Sequence, residues 1–410
     1  MDDIYVIGTG MTPFGKFPSL SVRDLTRDAV SAALRDAACA IGDIEVACFA
    51  NAAQGGIEGQ YMIPGQIALR AMGFEGLPIM NVENACASAS SAFYLACMHL
   101  KAGEAEVALA IGVDKMNTPD KQKAFDLLAG ARDVHDEEAT LRNLALLARD
   151  ENKGSDGEGQ ARSVFMDVYA SLAKQHMRRF GSTQRMFAAI SAKNHAHSVH
   201  NPLAQYRTPY TIDEVLAARP IAWPLTLPMC APVSDGAAAA IVCTGKALHR
   251  FARARAIKVC ASVLASGSDR GPEDLDRHIT RRAANRAYER AGFGPESMSV
   301  AEVHDATAVG ELIQTENLGF CEMGGGGELA ERGDTSIGGR IPVNPSGGLE
   351  CKGHPIGATG LGQIHELVLQ LRGEAGARQV GNARFGIAEN GGGFHGFEEA
   401  VACVTILGRA

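Results

Sequence analysis

The chain opens on a run of apolar residues, "IYVIGTG" (4–10), and the rhythm then changes. In "SVRDLTRDAVSAALRDAA" (21–38), Leu25, Ala29, Val30 and Ala33 fall on one helical face. Ser21, with Asp24 three residues on, predicts the N-terminal cap of that helix. The alternation continues. "IEVACFA" (44–50) and "LPIMNV" (77–82) read as strands, "ASASSAFYLACMHLKAG" (87–103) as a helix, and "EVALAIGVD" (106–114) as a strand. Strand-length runs that are apolar throughout predict strands buried on both faces. Separated by helices, they predict a parallel sheet within an α/β layered fold.

The rhythm lapses between about 117 and 230. "DEEATLRNLALLARDENKGSDGEGQ" (136–160) is charged and reads as flexible. A helix-rich stretch follows from Ala161 to about Ala217, then "PIAWPLTLPMCAPVSDG", with four prolines. This region reads as an insertion or lid. "AAAAIVCTG" (237–245) returns to strand. From about 255 the grammar resumes: strand "AIKVCASVLAS", helix 272–292, strand "MSVAEVH", helix 306–319, helix "GATGLGQIHELVLQLRG", and strands "ARFGIAE" and "EAVACVTIL". Two similar α/β halves are the natural reading.

The 410 residues suffice for two or three domain-sized units. A net charge of −8 argues against a general nucleic-acid binder, so an anionic ligand needs a local basic patch. No apolar run reaches the roughly 18 residues of a membrane span. The start, "MDDIYVIGTG", lacks the basic and long apolar regions of a signal peptide, which gives a cytoplasmic expectation. Ten cysteines occur, the closest pair nine residues apart, so no CxxC motif exists and no metal site is expected. Most lie in Ala/Val/Leu-rich runs and read as reduced core residues.

Four segments carry candidate chemistry. In "NVENACASASSAF" (81–93), Cys86 falls where a strand gives way to a helix. A helix N-terminus favours a thiolate, so Cys86 reads as a nucleophile or as a small core residue. In "VNPSGGLECKGHPIGATGLGQ" (343–363), His354 stands in Gly-His-Pro, as a base for a thiol or as a helix-capping loop residue. In "AEVHDATAVGEL" (301–312), His304 can donate to an oxyanion, and Asp305 orients it or caps the next helix. In "GIAENGGGFHG" (386–396), Gly391 to Gly393 supply backbone donors or a plain hairpin turn. His195, His197 and His200 lie on a polar helical stretch and read as solvated. The basic residues at 178–185 read as a phosphate contact or as ordinary surface.

Together these segments resemble the thiolase superfamily, in particular sterol-carrier-protein type thiolases and bacterial lipid-transfer acetyl-CoA acetyltransferase-like proteins of lipid metabolism. The resemblance runs along nearly the whole chain, through "YVIGTGMTPFG", "NACASASSA", "SDGAAAAIV", "VHDA" and "NPSGGLECKGHPIGATGLGQ". It implies two βαβαβαββ halves in a five-layered α-β-α-β-α sandwich. The N-terminal half would take 1–116 and 229–252, a loop domain 117–228, and the C-terminal half 253–410. The stretch around Trp223 would shape the acyl and pantetheine channel. A homodimer or dimer of dimers is implied, with acyl-CoA as substrate and no cofactor or metal.

The family's roles fall on matching positions. Cys86 is the nucleophile that takes the acyl group as a thioester, and His354 activates it. His304 serves an oxyanion hole, and Gly391 with the Cys86 backbone forms the other. Asp305 and Asn344 are supporting groups. One departure follows. The family's second, proton-moving cysteine lies in a Cys-x-Gly loop, where this chain has Glu389-Asn390-Gly391. In the sterol-carrier type it follows His-Asp, where this chain has Ala306. Glu389 is a candidate replacement if burial raises its pKa, and Cys351 is a spare thiol. Losing such a group typically costs roughly 10²–10⁴-fold, which weighs against ordinary thiolysis.

The implied activity is therefore an acyltransferase with an acyl-enzyme on Cys86, passing the acyl group to CoA or a carbon nucleophile. A ketosynthase-like Cys-His-His set is a variant of it. Two alternatives stand beside it. One is a thiolase-fold retro-aldolase (a lyase) on a β-hydroxyacyl-CoA side chain, with a small OB-fold or zinc-ribbon partner. The other is a non-catalytic acyl-CoA-binding subunit.

Overall fold

The structure is a computed structural model that describes residues 2–149 and 162–409. The first half runs β1 (Ile4–Met11), α1 (Val22–Ala37), β2 (Val46–Ala50), α2 (Gln54–Glu58), α3 (Pro64–Arg70), β3 (Ile79–Val82), α4 (Ser88–Ala102) and β4 (Val107–Lys115). An excursion follows with α5 (Lys121–Ala129), α6 (Glu137–Ala148), α7 (Val164–Phe180), α8 (Gln184–Ser198) and α9 (Ile212–Ala217). It ends on a small ribbon of β5 (Pro220–Ala222) and β6 (Leu225–Thr226). The chain returns in β7 (Asp235–Thr244). The second half holds β8 (Ile257–Ser266), α10 (Ile279–Ala291), β9 (Val300–Glu302), α11 (Ala308–Asn317), α12 (Gly326–Glu331), α13 (Gly348–Lys352), α14 (Thr359–Arg372), β10 (Phe385–Gly392) and β11 (Val401–Arg409).

Nine strands line up in the order β3-β2-β4-β7-β1-β8-β11-β10-β9. Only Tyr5–Lys258 and Val6–Ile257 pair across the β1–β8 junction, so two half-sheets meet there at a narrow seam. Successive side chains on a strand point to opposite faces, and here both faces are covered. On β4 and β7, Ala108, Ala110, Ala238 and Ala240 face the core that holds α4 and α14. Their neighbours Leu109, Ile111, Ala239 and Ile241 face the core that holds α1. Across the second half-sheet, Val263, Val404 and Ile406 pack on α10. The layers are thus α1, sheet, α4 with α14, sheet, α10: a five-layered sandwich.

The central layer is tight. A Cβ added at Gly360 of α14 would lie 1.9 Å from Ser90 Oγ and 2.8 Å from Ser90 N on α4. This close approach brings the turn that carries His354 against the helix that follows Cys86.

Several expectations are corrected. The sheet is mixed: β2 pairs in parallel with β3 and β4, and β9 with β10, but β4–β7, β7–β1, β1–β8, β8–β11 and β11–β10 are antiparallel. Continuous apolar strands reveal coverage of both faces, not strand direction. The helix expected over 272–292 begins at Ile279, where the His278 ring accepts the Thr280 N–H. The charged segment at 136–160 starts as a helix capped by Asp136; its remainder, 150–160, and Ala161 lie outside the described residues. His195 and His197 are buried, 3 % and 6 % exposed, because α9, α11, α12 and α13 enclose α8. His197 Nδ1 donates to Asn344 O and its Nε2 accepts from Ile337 N. The basic cluster at 178–185 lies at the surface, one of its two expected readings: Arg178 donates to the carbonyls of Leu147 and Ala148, Arg179 bonds Glu273, and Arg185 pairs with Asp213 and Glu331. Among the described residues no helix is long and apolar enough to cross a membrane.

Candidate active site

Cys86 sits on a single 3₁₀ turn between β3 and α4. Ala85 before it has φ 48°, a left-handed conformation rare for a residue with a Cβ. The turn is pinned by Ser88, whose hydroxyl donates to Ala85 O and accepts from Asn84 N. The thiol therefore projects from a fixed, locally strained backbone.

His354 is held from three sides. Gly353, with φ +111°, lets the chain pass close to Ser234 and Phe14, and a Cβ there would meet Ser234 Oγ at 2.6 Å. Ser234 Oγ accepts the His354 N–H at 3.0 Å. The ring Nδ1 lies 2.7 Å from Thr359 Oγ, and that hydroxyl donates to Pro355 O at 3.1 Å. With its one proton so used, Thr359 Oγ accepts from Nδ1–H. This network assigns the tautomer and leaves Nε2 as an open basic atom.

His304 follows β9. Its backbone N–H donates to Glu389 Oε2 at 3.0 Å, while both ring nitrogens are buried without a partner. The rings of His304 and His354 are 5.3 Å apart. One ligand atom from each of Cys86, His304 and His354 lies within 4.8 Å of the others. The three groups thus converge from three separate segments.

All three are electrically neutral at rest. Burial pushes the Cys86 thiol up to about 12, and the nearby carboxylate of Asp114 adds to the rise, whereas the N–H groups of Cys86 and Gly393 oppose it. Desolvation outweighs the helix terminus, so the thiolate expected at this junction is not the resting form. Burial pulls His304 down to about 4. His354 falls well below its ordinary value, through burial and then the neighbouring His304.

A cavity of about 460 Å³ opens onto this centre. Cys86, His304, His354, Gly393 and Glu399 line its base. Phe125, Leu127 and Leu128 of α5, Phe165, Met166 and Tyr169 of α7, and Arg162, Arg219, Ile221 and Leu227 make up much of its wall. The excursion between β4 and β7 therefore roofs the centre. Trp223 takes no part in this lining and is 45 % exposed, whereas its neighbours Arg219, Ile221 and Leu227 do line it.

The remaining expected residues lie elsewhere. Gly391 is inside strand β10, paired with Ala402; the N–H facing the sulfur is that of Gly393, past the strand end. Asp305 makes no bond to the His304 ring. It caps α13 instead of the next helix, accepting from Leu349 N and Glu350 N at 2.7 and 3.3 Å. Asn344, with φ 54°, accepts Val303 N and donates to Glu311, so it braces the strand end before His304 from behind. Glu389 is fully buried between His304 N and Thr280 Oγ and does not line the cavity. Burial and the nearby Glu399 raise it to about 8. Cys351 is buried away from the cavity, its thiol raised further by Glu350 and Asp305.

Sequence reasoning missed Glu399, Tyr169 and the polar support behind the site, where Lys193 pairs with Glu311 and Asn194 donates to Glu311 Oε2 at 2.9 Å. No local pattern separates Glu399, which lines the cavity, from its neighbour Glu398, which pairs with Arg270.

A cysteine and two histidines converge where two similar α/β halves meet. Two family descriptions match: "Thiolase, N-terminal domain" over 4–246 and "Thiolase C-terminal domain-like" over 266–409. The chain belongs to the thiolase family. It is 35% identical to sterol carrier protein 2 of Oryctolagus cuniculus over 397 residues, 94% of this chain and 69% of that protein. It is 36% identical to an acetyl-CoA acetyltransferase of Methanothermobacter thermautotrophicus over 414 residues, 100% of each. Among solved structures, the Ltp2-ChsH2(DUF35) aldolase shares the fold at a TM-score of 0.75 and 22% identity, covering 99% of this chain and 98% of that one. Thiolases use coenzyme A thioesters as substrates and need no cofactor.

Proposed function

We propose that the protein is an acyltransferase that carries the acyl group of an acyl-CoA on Cys86. The observation that carries this reading is the open Nε2 of His354, oriented by Thr359 and facing the cavity that also presents the Cys86 sulfur. In the first step the sulfur attacks the thioester carbonyl while His354 Nε2 takes the thiol proton. The developing oxyanion meets the N–H groups of Cys86 and Gly393. The C–S bond to CoA breaks, and His354 returns the proton to the departing CoA sulfur. A neutral thiol beside a neutral imidazole suits this sequence, because charge forms only as the proton moves. His304, with no partner for its ring, polarises the carbonyl of the acceptor in the second step. The apolar wall suits an acyl chain, and Arg162 and Arg219 add positive charge for the phosphates of CoA. The acyl group then passes to CoA or to a carbon nucleophile.

Incubation with radiolabelled acetyl-CoA and a series of longer acyl-CoAs, followed by peptide mapping, tests this. Label should appear on the peptide that carries Cys86, vanish in Cys86→Ala, and form ~10²–10⁴-fold more slowly in His354→Ala. No label from any member of the series overturns the reading.

One observation favours a second reading, retro-aldol cleavage of a β-hydroxyacyl-CoA: neither second-cysteine position carries a thiol, and the cavity presents a carboxylate, Glu399, in its place. A lyase needs no acyl-enzyme, so a Cys86→Ala variant with full activity would favour it. A small OB-fold or zinc-ribbon partner belongs to that reading; the structurally similar aldolase is named as Ltp2 with ChsH2(DUF35). In either case we propose a homodimer or dimer of dimers, joined through the sheet edge at β3.

A further inference from the structure

We infer that Glu399 is the acid/base that moves the α-proton of the substrate, in place of the cysteine missing from both expected positions. This rests on the acyl-CoA reading above and deepens it. Glu399 lines the same cavity as Cys86, His304 and His354. Its backbone lies two residues before β11, across the hairpin from Gly391. A Cβ at 391 would stand 2.7 Å from Glu399 Cγ, so the bare backbone there gives the carboxylate its room. Position 389, where the family's cysteine would fall, is turned inward and used up on His304 N and Thr280.

The carboxylate is held at one oxygen and unpartnered at the other. Gln314 Nε2 donates to Oε1 at 2.7 Å, and Asn317 donates to Gln314 Oε1 at 3.3 Å, which fixes the amide's orientation. Oε2 accepts no hydrogen bond. Its neighbour is His278, whose Nε2 stands 3.4 Å away. His278 Nδ1 accepts Thr280 N and faces an Asn317 amide, which leaves the ring's one proton on Nε2, 3.4 Å from Oε2 without a hydrogen bond to it. Burial, with the neighbouring Glu398, raises the Glu399 carboxyl above its ordinary value. Oε2 is itself buried, while the Glu399 side chain keeps 16 % of its surface exposed and lines the cavity that holds Cys86.

In the condensing direction Glu399 takes the α-proton of a second acyl-CoA. The C–H electrons move into the enolate, whose oxygen is held by His304. The α-carbon then bonds to the acyl carbon as the Cys86 C–S bond breaks, and Glu399 returns the proton to the Cys86 sulfur. In the cleaving direction each step runs backwards, with Glu399 protonating the enolate.

The test is exchange of the α-hydrogens of acetyl-CoA and propionyl-CoA in D₂O, followed by mass spectrometry. Such exchange needs no acyl-enzyme, so it reads Glu399 whatever happens at Cys86. Wild type should exchange. Glu399→Gln should exchange at least ~10²-fold more slowly while still taking label on Cys86. Glu389→Gln should stay within about twofold. Because Glu399→Gln could fail to fold, Glu399→Ala with added formate is the companion: formate should restore exchange. Exchange unchanged in Glu399→Gln, exchange absent from wild type, or Glu399→Ala without formate rescue would overturn the inference. Absent label on Cys86 with exchange intact sinks the acyl-enzyme reading alone.

Discussion

The charge state of the resting thiol is the most exposed part of this reasoning, and alkylation with iodoacetamide reads it directly. An ordinary thiol with a pKa of 9.0 is roughly one-tenth thiolate at pH 8, whereas the Cys86 thiol, pushed up to about 12, is about one part in 10⁴. That is a ~10³-fold deficit of reactive form. A more basic thiolate is intrinsically more nucleophilic, with a Brønsted slope of roughly 0.4–0.5, which returns ~15–30-fold over three units. The net expectation is alkylation ~30–60-fold slower than that of an unperturbed thiol at pH 8. The slope matters more than the absolute rate, since restricted access lowers every point equally. Modification of the Cys86 peptide, followed by mass spectrometry to separate it from the nine other cysteines, should rise about tenfold per pH unit from 6 to 9.5 without a plateau. In His354→Gln the alkylation profile should stay within about threefold while acyl transfer falls ~10²–10⁴-fold. A plateau below pH 8 that disappears in His354→Gln means a resting thiolate–imidazolium pair and refutes the neutral site.

Three further outcomes follow from the geometry. Glu389 is raised from 4.5 to about 8 in the fold, so between those values the native state keeps a proton that the unfolded chain releases, and stability falls as pH rises through that window. Glu389→Gln removes this proton; its unfolding free energy in urea should decline less steeply from pH 5 to 8.5, by about 4 kcal/mol over the range, and a slope equal to wild type would contradict the assignment. Thr359→Val removes the acceptor that sets the His354 tautomer; Cys86 acylation should slow about tenfold with an unchanged melting temperature, and unchanged acylation would show that the tautomer is fixed otherwise. Gly360→Ala places a methyl on Ser90 Oγ and should cost about 1–3 kcal/mol in thermal or denaturant unfolding by prising α4 from α14; neutral stability would mean the central layer relaxes freely.

What the sequence makes legible is whatever short stretches decide by themselves. Cys86 at a strand–helix junction and His354 between glycine and proline depend on their immediate neighbours, and the structure brings the two together. Apolar runs place the strands because burial on both faces leaves a local mark. Strand direction leaves none, and a parallel sheet was the wrong inference. Hairpin register is equally silent: which of Gly391 and Gly393 faces the sulfur, and which of Glu389 and Glu399 reaches the cavity, depends on an alternation that a shift of one residue reverses. Asp305 reads as a cap, but its target is α13, more than forty residues on, and no local pattern reports that. His195 and His197 read as surface because polar helices often are; here backbone groups of Thr208, Pro228, Asn344 and Ile337, all distant in sequence, satisfy both rings.

The site divides along the same line. The groups for capturing an acyl carbonyl come from two compact motifs whose backbones are fixed by glycines, a left-handed alanine and one hydroxyl–imidazole bond. The groups for handling a carbon acid come from the return of a hairpin, where one carboxylate, Glu389, has been drawn inward as a buried support and another, Glu399, stands at the cavity wall. Glu399 adds to the rise at Glu389, whereas burial and the neighbouring Glu398 raise Glu399 itself. Keeping Glu389 protonated leaves one negative charge for the pair to hold, and it is the cavity-facing partner, braced by Gln314, that is placed to use it. A substitution at 389 should therefore be felt in stability against pH and leave α-proton exchange near the wild-type rate.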